Sequence, residues 1–405
     1  MNGPLEGLKV VELGTHVVVP TAGRFMADLG AEVIKVENNR GEEWRKIGPS
    51  YKTPSTTEEN PIFQQQNVNK KLIAINLKSD EGKEVFFKLI KQADIFITNV
   101  RMKSLVKLGL DYESLKAMNP GLVYGHFSGY GLKGPEAARP GFDFSSLWAR
   151  SGAFRDWTDP SSIPFKPVGA FGDCSSSTAV VAGVMSAYVS KLKTGEGRFV
   201  TSSLYSCGIW YNMTGITSAQ YGVNYPLSHK AARNPFYHIY RCGDGEYIVI
   251  IVVDYTGKYN TIMEIMGLEQ YKDDPRYMYR TGDSLFKDDH VREMIDILDD
   301  QFLTKSAKEW CEIFGKADLA AELLVSMASV PEDEQAIANG YFHKYSFPTS
   351  GKEVSFPTVP VQFNGYENPD FVLPGDPGSN SEEVMAMLGY SKEEYESLKS
   401  DGTVR

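Results

Sequence analysis

Gly7-Leu8-Lys9-Val10-Val11-Glu12-Leu13, the turn Gly14-Thr15-His16-Val17-Val18-Val19-Pro20, a helical stretch over 21–29 and Glu32-Val33-Ile34-Lys35-Val36-Glu37 decide the fold. Two short β-branched apolar runs flank a helix, with Gly30 as its C-terminal cap. This is a β-α-β unit, whose crossover is right-handed within a parallel sheet. The pattern continues outward: strand-like 72–77, helical 80–92, strand-like 94–99, short helices over 103–108 and 112–118, and strand-like 122–127. The fold class is therefore α/β, an open, mostly parallel Rossmann-like sheet that binds ligands at the carboxyl ends of its strands. The first turn holds Gly14 but no G-x-G-x-x-G, so no glycine loop lets the backbone approach a dinucleotide pyrophosphate.

A second informative stretch runs from Val168 to Val200 and holds one carboxylate, Asp173, between Gly172 and Cys174-Ser175-Ser176-Ser177. Residues 178–191 read as a helix apolar on nearly every side, hence buried. Asp173 falls at its N-terminal end, where unpaired N–H groups favour an anion. It reads as an N-cap or as a reactive carboxylate, and the local sequence leaves both open.

The first 221 residues read as the opening part of a large α/β domain. Residues 222–330 read as a smaller α+β domain, with strands over 237–241 and 246–253 joined at Asp244-Gly245, a hairpin signal. The segment 331–405 reads as returning to the large domain. A net charge of −10 with scattered cations argues against nucleic acid. The start of the sequence lacks a signal-peptide core, and no apolar run approaches the roughly 18 residues that span a bilayer. Four dispersed cysteines and six dispersed histidines show no metal-ligand spacing and fit reduced thiols in the cytoplasm.

Taken together, Gly7–Leu13, Ala27-Asp28-Leu29-Gly30-Ala31-Glu32-Val33-Ile34-Lys35-Val36-Glu37, Asn69-Lys70-Lys71, Gly172-Asp173 and Thr194-Gly195-Glu196-Gly197 resemble the class III CoA-transferases, the family of formyl-CoA and carnitine CoA-transferases. The resemblance implies that Asp173 is the nucleophile. It attacks an acyl-CoA thioester to give an aspartyl anhydride, then carries CoA as an aspartyl thioester. A helix N-terminus at Asp173 is expected to keep it ionised and to supply oxyanion donors. The resemblance places CoA along Val17 and Val18, Asn38 and Arg40, Lys70, Asn99 and Val100, and Lys107. It implies no permanently bound cofactor, CoA thioester as substrate, and an interlocked homodimer.

Lys133-Gly134-Pro135, Pro140-Gly141-Phe142-Asp143, Asn234-Pro235-Phe236, Lys308-Glu309-Trp310 and Asp333-Glu334-Gln335-Ala336 are similar to the branch acting on 2-hydroxy acids. Cys174–Ser177 departs from that branch and is expected either in the pocket wall or as helix-start residues. The glycine-rich lid of some members has no counterpart in 230–236. The α-methylacyl-CoA racemases share this fold, but they pair the aspartate with a histidine where this chain has Phe142, which cannot carry a proton. His126 reads as a packed core histidine.

Overall fold

A computed structural model of the chain describes residues 3–159, 161–225, 228–231, 234–278 and 288–405. It forms two compact units: Met1–Phe154 with Lys166–Ser218 and Glu334–Arg405, and Arg155–Phe165 with Ala219–Asp333.

The first unit is built on six parallel strands: β1 (Lys9–Leu13), β2 (Glu32–Glu37), β3 (Lys71–Ala74), β4 (Ile95–Thr98), β5 (Val123–Ser128) and β6 (Phe199–Ser203). Their order is β3-β2-β1-β4-β5-β6, with Val10 level with Val33 on one side and Ile95 on the other. Successive residues of a strand face opposite sides, so β1 sorts its residues between two layers. Val10 packs with α1 (Val18–Asp28) on one face. Val11 packs on the other, with Phe86 and Leu89 of α2 (Asp80–Gln92) and with Leu105 and Leu115 of α3 (Met102–Leu108) and α4 (Tyr112–Met118). A long helix, α5 (Phe171–Thr194), joins the α1 layer through Val180, Val181, Val184 and Ala187, followed by α6 (Leu204–Tyr211). Helix α1 begins three residues before the sequence suggests, because Pro20 fits a first turn, where its missing N–H costs nothing.

The second unit folds around an antiparallel sheet of β7 (Tyr237–Arg241), β8 (Tyr247–Ile251) and β9 (Ala320–Leu323). Its aromatic core, including Tyr240, Tyr259, Phe302, Trp310 and Phe314, is closed by α7 (Tyr255–Ile265), α8 (Asp288–Phe302) and α9 (Ala307–Lys316). In the segment 230–236, where the glycine-rich lid has no counterpart, residues 232 and 233 lie outside the described ones. Lys230 is paired to Asp296 and Asp299 of α8.

The last residues return to the first unit. Val384 and Met385 of α10 (Ser381–Met387), Tyr395 of α11 (Lys392–Ser400) and Val404 enter the Val11 layer. Ile75 and Val404 pair as an antiparallel bridge that covers the open edge beside β3. Among the described residues, no helix is long and apolar enough to cross a membrane.

Between β1, β2 and α1 lies a buried ion cluster. Lys35 Nζ, fully enclosed, sits 2.9 Å from Glu12 Oε1 and 2.8 Å from Glu42 Oε1, and donates to Gly14 O at 2.9 Å. The second Glu12 oxygen meets Lys70 Nζ at 2.8 Å, and Glu37 takes Arg45 in a fork. Gly23 of α1 leaves the room for this, since a Cβ there would fall 2.1 Å from Glu12 Oε2. Burial lowers Lys35, but Glu12, Glu42 and Glu37 outweigh it and hold the ammonium above the ordinary lysine range. Breaking a buried pair strands the remaining charge, at about 3–5 kcal/mol. Lys35→Met should lower unfolding free energy by about that amount in urea titration, whereas Lys71→Met at the half-exposed Glu32 pair should cost under about 1 kcal/mol. Equal losses would show that the cluster adds no more than a surface pair.

Candidate active site

In this strand order the chain reverses direction across the sheet between β1 and β4, which opens a crevice at their carboxyl ends. Asn99 spans it. Its amide donates to Thr15 O at 2.8 Å and accepts from the Thr15 N–H at 3.0 Å. Thr98 Oγ1 donates to Leu13 O at 2.7 Å and accepts from the Val100 N–H. On the other side of the turn, the His16 N–H donates to Glu42 Oε2 at 2.6 Å, and His16 adopts a left-handed backbone with φ 63°. The turn after β1 is thus held from both flanks.

The residues expected to line CoA fall in different settings. Val17 and Val18 are buried at the start of α1, so only their backbone can face a ligand. Asn99 and Val100 meet the β1 turn at the crevice, while Asn38 and Arg40 follow β2 in a tight turn closed by Asn38 itself, which donates to Gly41 O and accepts from the Arg40 N–H. Arg40 and Lys107 are exposed. Lys70 differs: its ammonium is fully buried and engaged by Glu12, Pro20 O at 2.7 Å and Asn67 Oδ1 at 3.0 Å. These three partners leave it no direction for a phosphate, and burial, only partly offset by Glu12, lowers it to about 8.

Asp173 lies in the first turn of α5, not at its cap. The helix begins seven residues earlier than its apolar pattern suggests, and the capping residue is Ala170, in a left-handed conformation with φ 70° and no side chain able to cap. The cap comes from elsewhere. Asp143, in a π-helical turn over Asp143–Ala149, accepts the Gly172 N–H on Oδ2 at 3.3 Å. A Cβ on Gly172 would lie 2.2 Å from Asp143 Oδ1 and 2.8 Å from Leu147, so the residue before Asp173 must be glycine. Nor is α5 buried all round; Phe171, Val189 and Leu192 are exposed within the described chain.

These surroundings reverse the electrostatic expectation. Burial pushes the Asp173 carboxyl up to about 7, and the neighbouring Asp143 charge adds to the shift. Burial raises Asp143 to about 6 against the opposing hydrogen bonds from the Gly172 and Ala170 backbone and the Trp148 indole. The helix N-terminus therefore serves Asp143 more than Asp173. Cys174 is pushed up to about 11, first by burial and then by the two aspartates, so its thiol stays protonated.

Ser176 and Ser177 face inward, and Ser175, Ser177 and Thr178 donate to the helix carbonyls of Phe171, Cys174 and Ser175. The serines are helix residues more than pocket wall. His126 is a packed histidine, with Nε2 2.9 Å from Val100 O.

Residues that the sequence did not single out complete the neighbourhood. The His16 ring meets Trp44 at 5.8 Å and Phe142 at 5.9 Å between centroids, and Trp44 meets Tyr51 at 6.4 Å. The Tyr51 hydroxyl occupies the space that a side chain on Gly169 would take. Burial, and then Asp173, Asp143 and Cys174, raise its phenol, so it shares their surroundings. No cation among the described residues offsets the shift of Asp173. Asp143 had a readable signal, since it directly follows Gly141-Phe142. Trp44 and Tyr51 had none, because they come from short turns far along the chain.

Comparison with known proteins gives consistent matches. Residues 5–379 match the profile described as CoA-transferase family III. The chain is 35% identical over 401 residues to the (R)-2-hydroxy-4-methylpentanoate CoA-transferase of Clostridioides difficile, covering 99% of each. It is 36% identical over 398 residues to the cinnamoyl-CoA:phenyllactate CoA-transferase of Clostridium sporogenes, covering 98% of this chain and 96% of that one. Among solved structures, a CAIB/BAIF family protein from Brucella suis superposes with a TM-score of 0.77 at 27% identity, covering 96% of this chain and all of that one.

The raised Asp173 carboxyl has a consequence for stability. An acid whose folded pKa lies above its unfolded value of 3.8 loses stability as pH climbs from that value to about 7, and the full cost is present above 7. Asp173→Asn should therefore stabilise the protein at pH 8 by roughly 1–3 kcal/mol in urea unfolding, with a gain that shrinks toward pH 5. A gain independent of pH, or a loss, would show that the carboxyl is not held out of its ordinary range.

Proposed function

The chain belongs to CoA-transferase family III, and from that premise we propose that it moves CoA from an acyl-CoA thioester to a free 2-hydroxy acid or the related enoate through Asp173. The observation that carries the assignment is Asp173 itself, a half-buried carboxylate in the first turn of α5 with no opposing cation among the described residues. Its ionised form is poorly solvated and poorly paired, which favours attack on a carbonyl. The carboxylate oxygen bonds to the thioester carbon, the C–S bond breaks, and CoA thiolate leaves an aspartyl–acyl anhydride. The thiolate then attacks the aspartyl carbonyl and releases the donor acid, so Asp173 carries CoA as a thioester. The acceptor acid runs the same steps in reverse.

Ring surface and absent charge support the substrate class. His16, Trp44, Tyr51 and Phe142 supply an apolar wall beside the two aspartates. Arg24 is engaged with Asp28, Gln65 O and Pro357 O, and Arg45 with Glu37 and Gly375 O. Such a site suits one carboxylate with an aryl or branched side chain and leaves a second carboxylate unpaired.

CoA lies along the β1 turn with Val17 and Val18, the Asn99-Val100 side of the crevice and Asn38, with the exposed cations Arg40 and Lys107 for phosphate. Lys70 acts from beneath through Glu12. Exposed apolar side chains such as Leu192 and Trp210 support a homodimer, and four free thiols support a cytoplasmic setting.

Asp173→Ala should lose CoA exchange by at least about a thousandfold, and mass spectrometry of the wild type with acyl-CoA should find CoA on Asp173. Full exchange in the variant, or an adduct elsewhere, would end the proposal. In a panel of acceptors, phenyllactate and 2-hydroxy-4-methylpentanoate should exceed succinate by at least about tenfold in kcat/KM. Arg40→Ala with Lys107→Ala should raise KM for acyl-CoA about tenfold at unchanged kcat; an unchanged KM would remove both from the CoA site.

A further inference from the structure

We infer that Asp143 is a positioning residue for the nucleophile: it caps the start of α5 from outside the helix and sets a carboxylate beside Asp173 whose charge opposes that of the nucleophile. This rests on Asp173 as the nucleophile and goes beyond it by assigning a partner to that carboxylate.

Three observations meet at Asp143. Its carboxylate is buried and accepts the Gly172 N–H, one residue before Asp173. Gly172 can bear no side chain, because Asp143 Oδ1 and Leu147 fill that space. The helix supplies no cap of its own, since Ala170 stands at the cap position. A backbone donor that could have served Asp173 thus serves its neighbour. A carboxylate that accepts backbone N–H bonds is favoured in its ionised form, so Asp143, though raised by burial, is the member of the pair that ionises first.

The groups facing the pair come from every element around it. They are Cys174 of α5, Trp148 of the π-helical turn, Tyr51 of the Gly48–Tyr51 turn and Arg24 of α1, which acts on Cys174 while paired to Asp28. Among the described residues, no cation offsets the pair's repulsion.

The chemical result is a nucleophile whose charge is costly before reaction and absent after it. When the Asp173 oxygen bonds to the thioester carbon and CoA thiolate departs, the negative charge leaves the pair with the sulfur. Asp173 is then neutral, as anhydride and later as thioester, and Asp143 keeps its hydrogen bonds. The repulsion is relieved along the reaction coordinate, which raises the rate without tighter ground-state binding.

Asp143→Asn tests this, since its amide oxygen can still accept the Gly172 N–H while the charge is gone. The acid limb of the kcat/KM profile should move down by about one pH unit, with kcat on the plateau about tenfold lower and KM within twofold. An acid limb at the wild-type pH would overturn the inference and leave Asp143 a structural cap. If Asp143→Asn fails to fold, Asp143→Ser keeps a smaller uncharged acceptor, and the same shift is expected. Carboxyl 13C NMR of the resting enzyme, with Asp173 assigned from the Asp173→Asn spectrum, reads the coupling without turnover. Its midpoint should fall in Asp143→Asn, and an unmoved midpoint would overturn the inference. If the midpoint moves while Asp173→Ala retains full exchange, the nucleophile reading falls and the charge coupling stands.

Discussion

The Glu12–Lys35–Glu42 contact, with Lys70 on its far side, is the constraint on which the first unit depends. Two ammonium groups and two carboxylates are enclosed between β1, β2 and α1. An uncompensated charge there carries a desolvation cost that no neighbouring water can relieve. The cluster therefore specifies geometry. Lys35 also binds Gly14 O and Glu42 also binds the His16 N–H, so the strand ends and the turn that opens the crevice are fixed by one network. The left-handed His16 is held in place by it, and the His16 ring is carried against Trp44 and Phe142.

From that turn the architecture leads to a carboxylate kept at a disadvantage. A helix N-terminus ordinarily lowers the pKa of a nearby acid. Here the N–H of Gly172 is taken by Asp143, and burial with a like charge lifts Asp173 to about 7. The distinction matters for the role proposed for Asp173, because a carboxylate too well stabilised would be a poor nucleophile and a good leaving group. A stable fold and that proposed role make opposite demands on the same residue.

Regular elements were legible because their signals are local. Helix 80–92 is bounded by the Ser79 cap and falls where periodicity predicts it, as does Tyr112–Met118 behind the Asp111 cap. The Asp244-Gly245 pair makes the turn between β7 and β8, with Gly245 at φ 88°. The misreading at Asp173 has the same origin. Local rules favour an Asp, Ser, Thr or Asn at a helix start, and Asp173 was the available candidate. The true start is Ala170, and its cap comes from a residue 27 positions upstream in the chain. Lys70 shows the other limit: the resemblance places it along CoA, yet it is enclosed against Glu12 while its neighbour Lys71 is not.

The sequence by itself determined the parallel α/β sheet and the absence of a dinucleotide loop, and it left Asp173 as either a helix cap or a reactive carboxylate. Each of those is written in the type and spacing of neighbouring residues. Only the tertiary structure decided the state of that aspartate. Its pKa depends first on how far water is excluded and then on Asp143, which arrives from a segment that shares no local pattern with it. Electrostatic energy depends on distance and burial in three dimensions, and neither quantity is encoded in the order of residues along one stretch of chain.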